Sequence, residues 1–309
     1  MNTNYRQYMR RYRVLVTSKS TGLSYDMSEL RCAFNVTKKL NSSPDYAQIV
    51  IFNATNDFCS SVTKGDKVVL EAGYKDGNYG LIYVGQVVQC YMRKTNSVDT
   101  EAVLVCSDGD QFLTQTVIVK TIGAGATQAD IVNECVSAAD KDADIALGEI
   151  TSTLSSNGLA RGKVMFGNAS AYLDKIAQSN NAQFYVSDGQ VNIVAAEDYG
   201  DNVAVLLTPA TGLLETPEQT DDGIKGKCLL NPSLRLNTRI YIDNQFTNAM
   251  QVTKDKTPKA MNSSGIYKVI TVTYSGDTRG ESWFCDFEGV SMTGNVLSGL
   301  TEEQMNAWR

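Results

Sequence analysis

The sequence predicts a mainly β protein with a small α+β module in the middle of the chain. Segments rich in Val, Ile and Tyr, separated by clusters of Asn, Gly and Asp, fill the first third and return in the last third. Between them, the apolar residues recur at helical spacing. The 309 residues are enough to bury a sizeable core and to form two or three domains.

The first third, residues 1–115, predicts a β domain. Its strand-like segments are YRVLVTS, AQIVIFN, DKVVLEAGY, LIYVGQVVQCYMRK and TEAVLVCSD, and Asp76-Gly77 is a hairpin turn signal. Five or six antiparallel strands at such short spacing indicate a small barrel or sandwich.

Residues 116–200 predict the α+β module. Thr127 and Asp130 form a capping-box pattern at the start of one helix, and a second helix is predicted in NASAYLDKIAQSN. The next segment, AQFYVSDGQVNIVAA, predicts two strands joined by a tight turn at Asp188-Gly189. This order of elements differs from that of a doubly wound sheet.

The rest of the chain predicts a second β domain, residues 201–295, and a tail, residues 296–309. Strand patterns return in NVAVLLTP, GIKGKCLL, LNTRIYID, YKVITVTYSGD and SWFCDFEGVSM. The tail predicts a short helix, which is unstable alone in water because it has fewer than about twelve residues. Its apolar side chains therefore need a surface, either the β domain of its own subunit or another chain to which the tail would be a tether. These are the candidate interface residues: Leu297, Leu300, Met305 and Trp308.

Composition excludes several classes of function. The sequence contains no histidine, which excludes Ser-His and Cys-His nucleophile activation and the commonest zinc sites. The formal charge of -6 gives no positive field that would draw the chain onto nucleic acid.

No apolar run approaches the roughly 18 residues that cross a bilayer, so no membrane insertion is expected. Seven widely spaced cysteines without a CxxC pair indicate buried free thiols in a cytosol.

Three loops look like ligand sites but lack residues that the chemistry needs. Gly158–Val164 resembles a phosphate loop, but it is one residue short and has a valine in place of the magnesium-binding hydroxyl. Asp140–Thr151 begins like a calcium loop without its turn glycine or its bidentate glutamate, so a solvated helix end is expected. IGAGATQAD lacks the third small residue of a dinucleotide fingerprint, so a tight strand-to-helix connection is expected.

One group of carboxylates is a candidate for acid–base chemistry. Glu281, Asp286 and Glu288 surround Trp283, and a glycosidase needs only two such carboxylates. Asp286 and Glu288 would share one face of a strand, which is also the pattern of a solvated face. We therefore expect no catalytic, cofactor-binding or metal site, no cofactor and no enzymatic activity.

Taken in order, the strand segments resemble the baseplate hub family of bacteriophage tails, the proteins that join the tail tube to the central spike. In the first third the resemblance lies in SELRCAFNVTKK, AQIVIFNA, VTKGDKVVLEAGY, LIYVGQVV and VLVCSDGD. In the last third it lies in GLLETPEQTDDGIKGKCLLNPSLRLNTRIYID and YKVITVTYSGDTRGESW. The order and spacing of these short motifs, up to about residue 290, carry the resemblance.

The resemblance implies two tube-like antiparallel β-barrel domains per subunit and a trimeric ring with pseudo-sixfold symmetry. Such a ring would bind the hexameric tail tube protein on one face and the trimeric spike protein on the other. It would also contact other baseplate proteins and let viral DNA pass transiently through its lumen. The expected location is the tail baseplate of the virion, after assembly in the host cytoplasm.

The resemblance also implies details of the last third. GIKGKCLL and LRLNTRIYID would be neighbouring strands of the second barrel, joined by a turn that Asn231-Pro232 sets. Because the sequence ends at Arg309 without a spike or lysozyme domain, any cell-wall degradation is expected from a partner. If the tail is a tether, the chain that it binds would be a neighbouring subunit or a baseplate protein.

Two other classes of function stay open at this point. One is a carbohydrate- or receptor-binding β module at the tail tip, although two tryptophans are few for stacking on sugars. The other is a peptidoglycan hydrolase that uses only carboxylates, against which the lack of histidine and of a compact acid pair counts. These residues fit a hub of a bacteriocin-like contractile particle as well as a hub of a phage.

Overall fold

The computed structural model describes residues 7–94, 98–140, 143–196, 198, 204–219, 223–242 and 265–291. These residues form a mainly β protein with few helices, as the sequence predicts. In chain order the strands are β1 (Arg10–Thr17), β2 (Ser24–Asp26), β3 (Cys32–Lys39), β4 (Asp45–Phe52), β5 (Lys67–Tyr74), β6 (Tyr79–Lys94), β7 (Thr100–Asp108), β8 (Val117–Ile122), β9 (Ala146–Ile150), β10 (Lys163–Asn168), β11 (Ala182–Ser187), β12 (Gln190–Ala195), β13 (Val205–Leu207), β14 (Glu218–Gln219), β15 (Gly223–Leu229), β16 (Arg239–Ile242), β17 (Ile266–Asp277) and β18 (Trp283–Ser291). The helices are α1 (Asn56–Ser61), α2 (Asp110–Gln115), α3 (Gln128–Ser137) and α4 (Ala169–Ser179), and Pro209–Thr211 form a 3-10 turn.

Most strands belong to one large mixed sheet that takes strands from both ends of the chain. Its order is β14-β15-β18-β17-β3-β4-β7-β6-β5-β1-β2, and β16 joins β17 with β13 beside it. β13 and β16 run parallel, and the other neighbours run antiparallel. Alternation in the sequence explains which side chains point inward: in β3, Cys32, Phe34 and Val36 are buried and Asn35 is exposed.

β17 joins the first and last thirds of the chain. Its residues 266–268 pair with β16, and its residues 271–277 pair with β3 along the same edge. Across this seam, Phe34 of β3 and Trp283 of β18 pack edge to face, with ring centroids 5.6 Å apart. The two thirds therefore share one continuous sheet and one hydrophobic core.

This sheet differs from the expected pair of separately closed barrels. Within the described part of the chain, the sheet ends at β2, at β14 and, on its side branch, at β13, and no strand pairing closes either third on itself. The reason is that β3 finds its second neighbour in β17 rather than within the first third. A period of two predicts which side chains face the core, but it does not say which strands are neighbours.

The predicted pairing of the GIKGKCLL and LRLNTRIYID strands is wrong. β15 pairs with β14 and β18, and β16 pairs with β13 and β17, so the β17–β18 hairpin separates them. The chain does turn after Asn231, whose side chain accepts hydrogen bonds from the Ser233 N–H (2.9 Å) and the Asn78 amide (2.5 Å). The Asn-Pro turn therefore contacts the β5–β6 hairpin of the first third instead of forming a hairpin of its own.

The middle of the chain forms the predicted α+β module. β8 and β10 pair into a two-stranded ribbon, and β11-β12-β9 form a small mixed sheet in which β9 is parallel to β12. α3 and α4 contact both the ribbon and this sheet, and the three parts share a second hydrophobic core. α3 begins with the predicted capping box of Thr127 and Asp130, and Asn168 caps α4. None of the described helices is long and apolar enough to cross a membrane.

β9 is an element that the sequence did not predict. It occupies the stretch between residues 140 and 151 that was expected to be a solvated helix end. Its own pattern is weak, because none of its side chains is fully buried and it contains Gly148. It is held by pairing with β12 and by a hydrogen bond from the Glu149 N–H to the Asn192 side chain (2.8 Å). An open strand edge imposes such pairing on a segment of low intrinsic preference.

Candidate functional site

The tight turn between β11 and β12 lies against the first third of the chain, at a group of buried charges. Asp188 and Gly189 have φ values of 53° and 72°, which a two-residue hairpin turn requires and which Asp-Gly readily adopts. The turn places the Asp188 carboxylate 2.6 Å from the ammonium of Lys38, whose side chain is buried. The same carboxylate oxygen accepts the Val84 N–H at 3.1 Å.

Two aspartates of the first third complete this group. Asp45 of β4 and Asp108 of β7 are buried, and they lie directly opposite each other on these two strands. Asp45 accepts the Ser187 hydroxyl at 2.7 Å, and Asp108 accepts the Gly189 N–H at 3.0 Å. We call Lys38, Asp45, Asp108 and Asp188 the junction cluster, because they join the α+β module to the large sheet.

Burial controls the protonation of the junction cluster. It raises the pKa of Asp45 to about 7 and that of Asp108 to about 6, although the Lys38 ammonium lowers both. Burial also raises the pKa of Tyr83 and Tyr185, which lie beside these carboxylates. Three carboxylates share the Lys38 ammonium as a partner, so ionisation of all three leaves excess negative charge in a buried place.

Two more lysines connect the large sheet to the module. Lys67 of β5 forms an ion pair with Asp144, and both side chains are exposed. Lys268 of β17 is buried and donates to the carbonyl oxygens of Ala195 (3.0 Å) and Asp198 (2.8 Å). Burial lowers the pKa of Lys268 to about 8. Lysines from both the first and the last third of the chain therefore hold the module in place.

The junction cluster can bind protons and form ion pairs, but its carboxylates are hydrogen-bonded or ion-paired, and Asp45 and Asp108 are buried. The carboxylate oxygens accept hydrogen bonds from backbone N–H groups and a hydroxyl, and one of them forms an ion pair with an ammonium. A general acid or base has to reach its substrate directly or through one water. This arrangement therefore fits a joint between two parts of the protein rather than a reaction centre.

The candidate acids Asp286 and Glu288 lie on the outer face of β18, as the alternation predicts. Glu288 forms an ion pair with Lys225 of β15 at 2.5 Å. Burial raises the pKa of Asp286, and nearby Lys227 lowers it. These groups line an open groove of about 320 Å³ in which carboxylates and lysines are mixed. Glu281 lies apart from them, in the turn between β17 and β18.

The outer face of β18 therefore has the charges of both signs that are typical of a solvated strand. The structure does not bring Glu281, Asp286 and Glu288 together as three acids around one cavity. Elsewhere in the described residues, no group of three Cys, Asp or Glu side chains could hold a metal ion.

The glycines of IGAGATQAD and GLARGKV allow the backbones of these two loops to approach each other closely. The Gly125 N–H donates to the Leu159 carbonyl and the Leu159 N–H donates to the Ala126 carbonyl, each at 2.8 Å. A Cβ atom on Gly158 would lie 2.6 Å from the carbonyl oxygen of Gly125, which is too close for any side chain. IGAGATQAD is the tight connection from β8 to α3 that the sequence predicts, and GLARGKV leads into β10.

The junction cluster is not among the sites expected from the sequence, although one signal for it is present. Lys38 continues the inward-facing series of β3 after Cys32, Phe34 and Val36, so a charge falls on a core position. A lysine is almost never fully buried unless it is paired. The other expected interface lies outside the described residues, because Leu297, Leu300, Met305 and Trp308 belong to the tail.

The fold is similar to that of several tail proteins of known structure. A tail protein from Neisseria meningitidis MC58 superposes with a TM-score of 0.60, over 92% of this chain and 97% of its own, at 10% identity. The 43 kDa tail protein of prophage MuSo2 from Shewanella oneidensis gives a TM-score of 0.60, over 91% and 98%, at 10% identity. The E. coli c3393 protein gives 0.54, over 93% and 77%, at 10% identity.

The c3393 protein is a component of the type VI secretion system and is structurally similar to the T4 bacteriophage tail proteins gp27 and gp5. At these identities the likeness concerns the fold, and the fold is that of tail proteins. Residues 47–252, more than half of the chain, match the family described as Baseplate hub gp41. The chain therefore belongs to the baseplate hub gp41 family, which confirms the resemblance seen in the sequence. No curated protein matches the chain.

Proposed function

We propose that this protein is a structural hub subunit of a phage tail baseplate, in which three copies form a ring between the tail tube and the central spike. Membership of the baseplate hub gp41 family is the observation that carries the proposal. The ring would bind the hexameric tail tube protein on one face and the trimeric spike protein on the other. It would also contact other baseplate proteins in the virion, after assembly in the host cytoplasm.

The arrangement of strands supports a role in building a ring. We propose four parts: a β unit at residues 1–115, the α+β module at 116–200, a second β unit at 201–295 and a tail at 296–309. Three chains would place six β units around one axis and so match a sixfold tube. The pairing of β3 with β17 makes the sheet continuous from one β unit to the other. A ring with a continuous wall requires such pairing.

We further propose that the role is structural and not enzymatic, and that it needs no cofactor. The lumen of the ring would let DNA pass during injection. The formal charge of -6 favours passage over binding, because a surface of the same sign as DNA does not retain it. Degradation of the cell wall would then belong to a partner.

The proposal is tested by the oligomeric state and by the position of the protein in the particle. Gel filtration with light scattering should give a mass of three times 33.7 kDa for the purified chain, alone or with the spike protein. Electron microscopy of the assembled tail, with the chain labelled, should place it between tube and spike. A chain that stays monomeric with either partner, or a label at the fibre tips, would contradict the proposal and favour receptor binding.

A further inference from the structure

The β8–β10 ribbon has an apolar outer face that the described residues leave exposed. Val119 of β8 pairs with Phe166 of β10, and Val117 and Val164 flank them on the same face. The exposed fractions are 56% for Val117, 70% for Val119, 72% for Val164 and 75% for Phe166. These four residues account for a third of the twelve exposed large hydrophobic residues of the described structure. We call them the ribbon patch.

The inner face of the ribbon shows why the patch is unusual. Ile118, Ile122 and Met165 are buried against the core of the module, so the ribbon is already anchored on that side. If the outer face of this anchored ribbon were solvated, it would be expected to carry polar residues. Strands with one buried and one solvated face alternate apolar and polar side chains. The outer face instead carries no charged side chain, since Thr121 and Asn168 complete it. A contiguous exposed apolar face of this kind marks an interaction surface.

The tail of the chain has the composition that would cover this patch. Its apolar side chains recur every three to five residues, at Leu297, Leu300, Met305 and Trp308. Such spacing places them on one side of a helix, and a helix of this length needs a surface to be stable. The sequence of the tail therefore predicts an apolar helix face that needs a surface, and the ribbon patch is an exposed apolar surface in the same chain.

The point at which the tail leaves the large sheet lies beside the α+β module. Ser291, the last described residue, pairs with Tyr267, and the next residue along β17, Lys268, donates to carbonyl groups of the module. α3 and α4 contact both the small sheet and the ribbon, so we take the distance from the small sheet to the ribbon as two packed layers of about 10 Å each. Six extended residues span about 20 Å, so residues 292–297 are long enough to bring Leu297 to the ribbon.

The other long segment outside the described residues, 243–264, is less suitable. It starts and ends at the same place, because the Ile242 N–H donates to the Gly265 carbonyl (2.9 Å), so it would have to reach the ribbon and return. It also contains three lysines between residues 254 and 259, a composition that favours solvent over an uncharged apolar face.

We propose that the tail, residues 292–309, docks on the ribbon patch of its own chain. Burial of Phe166 and its neighbours against the apolar side of the tail would stabilise both, because each removes the other from water. The inference goes beyond the proposed hub function and does not depend on the ring, since it concerns a contact within one chain.

Photo-crosslinking tests which chain, if any, covers the patch. Full-length protein carrying p-benzoylphenylalanine in place of Phe166 is irradiated, and its crosslinked peptides are identified by mass spectrometry. We expect a crosslink to residues 297–309 in a species that keeps the mass of one chain on a denaturing gel. The same substitution at Tyr46, which is exposed on β4, should give no crosslink to the tail. A tail crosslink at the mass of two chains, or a patch that never crosslinks to the tail, would overturn the proposal.

Proteolysis gives a second and independent readout. A glutamate-specific protease should release the segment after Glu303 at least about ten-fold faster from Phe166→Asp than from the natural chain, because undocking exposes the tail. The matched control is Leu23→Asp, an equally exposed apolar residue at the β1–β2 turn, which should leave the rate unchanged. The described residues leave Phe166 and Leu23 mostly exposed, so both variants should still fold and melt cooperatively, and Phe166→Asp should lose only the stability that docking of the tail adds. Equal release from all three proteins would show that the tail is not docked on the ribbon.

Discussion

Asp45 and Asp108 lie directly opposite each other on β4 and β7, and both are buried beside the turn at Asp188. Like charges at opposed positions of a sheet destabilise it, and burial adds a cost for each ionised group. The pair persists because each carboxylate accepts a hydrogen bond from the turn of the module. The module is therefore attached to the large sheet through groups whose charge depends on pH.

The first prediction is that acidification stabilises the protein between about pH 7 and pH 4. The pKa of Asp45 is raised to about 7 and that of Asp108 to about 6, against 3.8 in the unfolded chain. In this window the folded state binds more protons than the unfolded state, so the free energy of unfolding falls as pH rises. One pKa unit corresponds to about 1.4 kcal/mol, which sets an upper bound of about 4 kcal/mol for Asp45. Urea unfolding at pH 5 and pH 8 measures the difference.

Asp45→Asn is the matching variant for this pH dependence. It keeps an acceptor for the Lys39 N–H but cannot ionise, so it should stabilise the protein at pH 8 and have little effect at pH 5. The slope of stability against pH should become smaller than in the natural chain. A slope that Asp45→Asn leaves unchanged would show that this carboxylate does not cause it.

The second prediction compares two lysines that both join the large sheet to the module. Lys38→Met leaves Asp45, Asp108 and Asp188 without their ammonium, and loss of one partner of a buried ion pair costs about 3–5 kcal/mol. Lys67→Met removes an exposed ion pair with Asp144, which should cost less than about 1 kcal/mol.

Urea unfolding at pH 8 measures both variants. The loss in Lys38→Met should shrink at pH 5, because Asp45 and Asp108 are then largely protonated. Equal effects of the two substitutions at pH 8 would argue against the junction cluster as the main attachment of the module.

The third prediction concerns the seam between the first and last thirds. Phe34→Ala removes a buried ring that packs on Trp283 and should cost about 3–5 kcal/mol. Because one sheet and one core contain both residues, the β units should unfold together.

Two optical probes can check this cooperativity. In a Trp308→Phe background, tryptophan fluorescence reports on Trp283 alone, which is buried in the last third, whereas far-UV circular dichroism reports on all strands. In Phe34→Ala both transitions should shift by the same amount. A shift in circular dichroism that leaves the fluorescence transition in place would indicate two independent domains.

The comparison of sequence and structure separates local from non-local information. The capping box at Thr127 and the turn at Asp188-Gly189 depend on residues within three positions of each other, and both are found as predicted. The pairing of β3 with β17 joins residues more than 230 positions apart, and nothing in either strand pattern specifies the partner. For this reason most of the long strands were predicted, whereas β9 and the neighbours of β15 and β16 were not.

The same reasoning applies to the candidate site. The outward position of Asp286 and Glu288 follows from alternation and was predicted. The junction cluster requires β3, β4, β7 and the β11–β12 turn to meet, and this depends on the whole fold. Only the lysine at the inward position 38 gave a local sign that a buried acid lies nearby.

The fourth prediction is that the carboxylates of the last third are not catalytic. Alanine at Glu281, Asp286 or Glu288 should leave the free energy of unfolding within about 1 kcal/mol of the natural value, because these groups lie on a turn or an outer strand face. Purified protein should release no sugar from peptidoglycan, with or without these changes. Hydrolysis that one of the substitutions abolishes at unchanged stability would contradict the structural role.

The last prediction concerns the thiols. The seven cysteines are free in the structure, so denatured protein without reductant should react with seven equivalents of a thiol reagent. In the folded state, Cys59 of α1 and Cys90 of β6 are half-buried with their Sγ atoms 2.9 Å apart, and burial raises the pKa of Cys90 to about 12. The Cys90 thiol should therefore react slowly with a thiol reagent in the folded protein, since the thiolate is the nucleophile.

Diamide, which takes up two electrons and two protons from a pair of thiols, should link Cys59 to Cys90 in the folded protein and lower the count from seven to five. Cys228 and Cys285 also face each other, across β15 and β18, but both are buried and should be spared. Cys90→Ser should prevent the loss, and Cys228→Ser should not. If diamide still removes two thiols from Cys90→Ser, the reactive pair lies elsewhere in the protein. Proximity and exposure of the thiols would then not control the reaction.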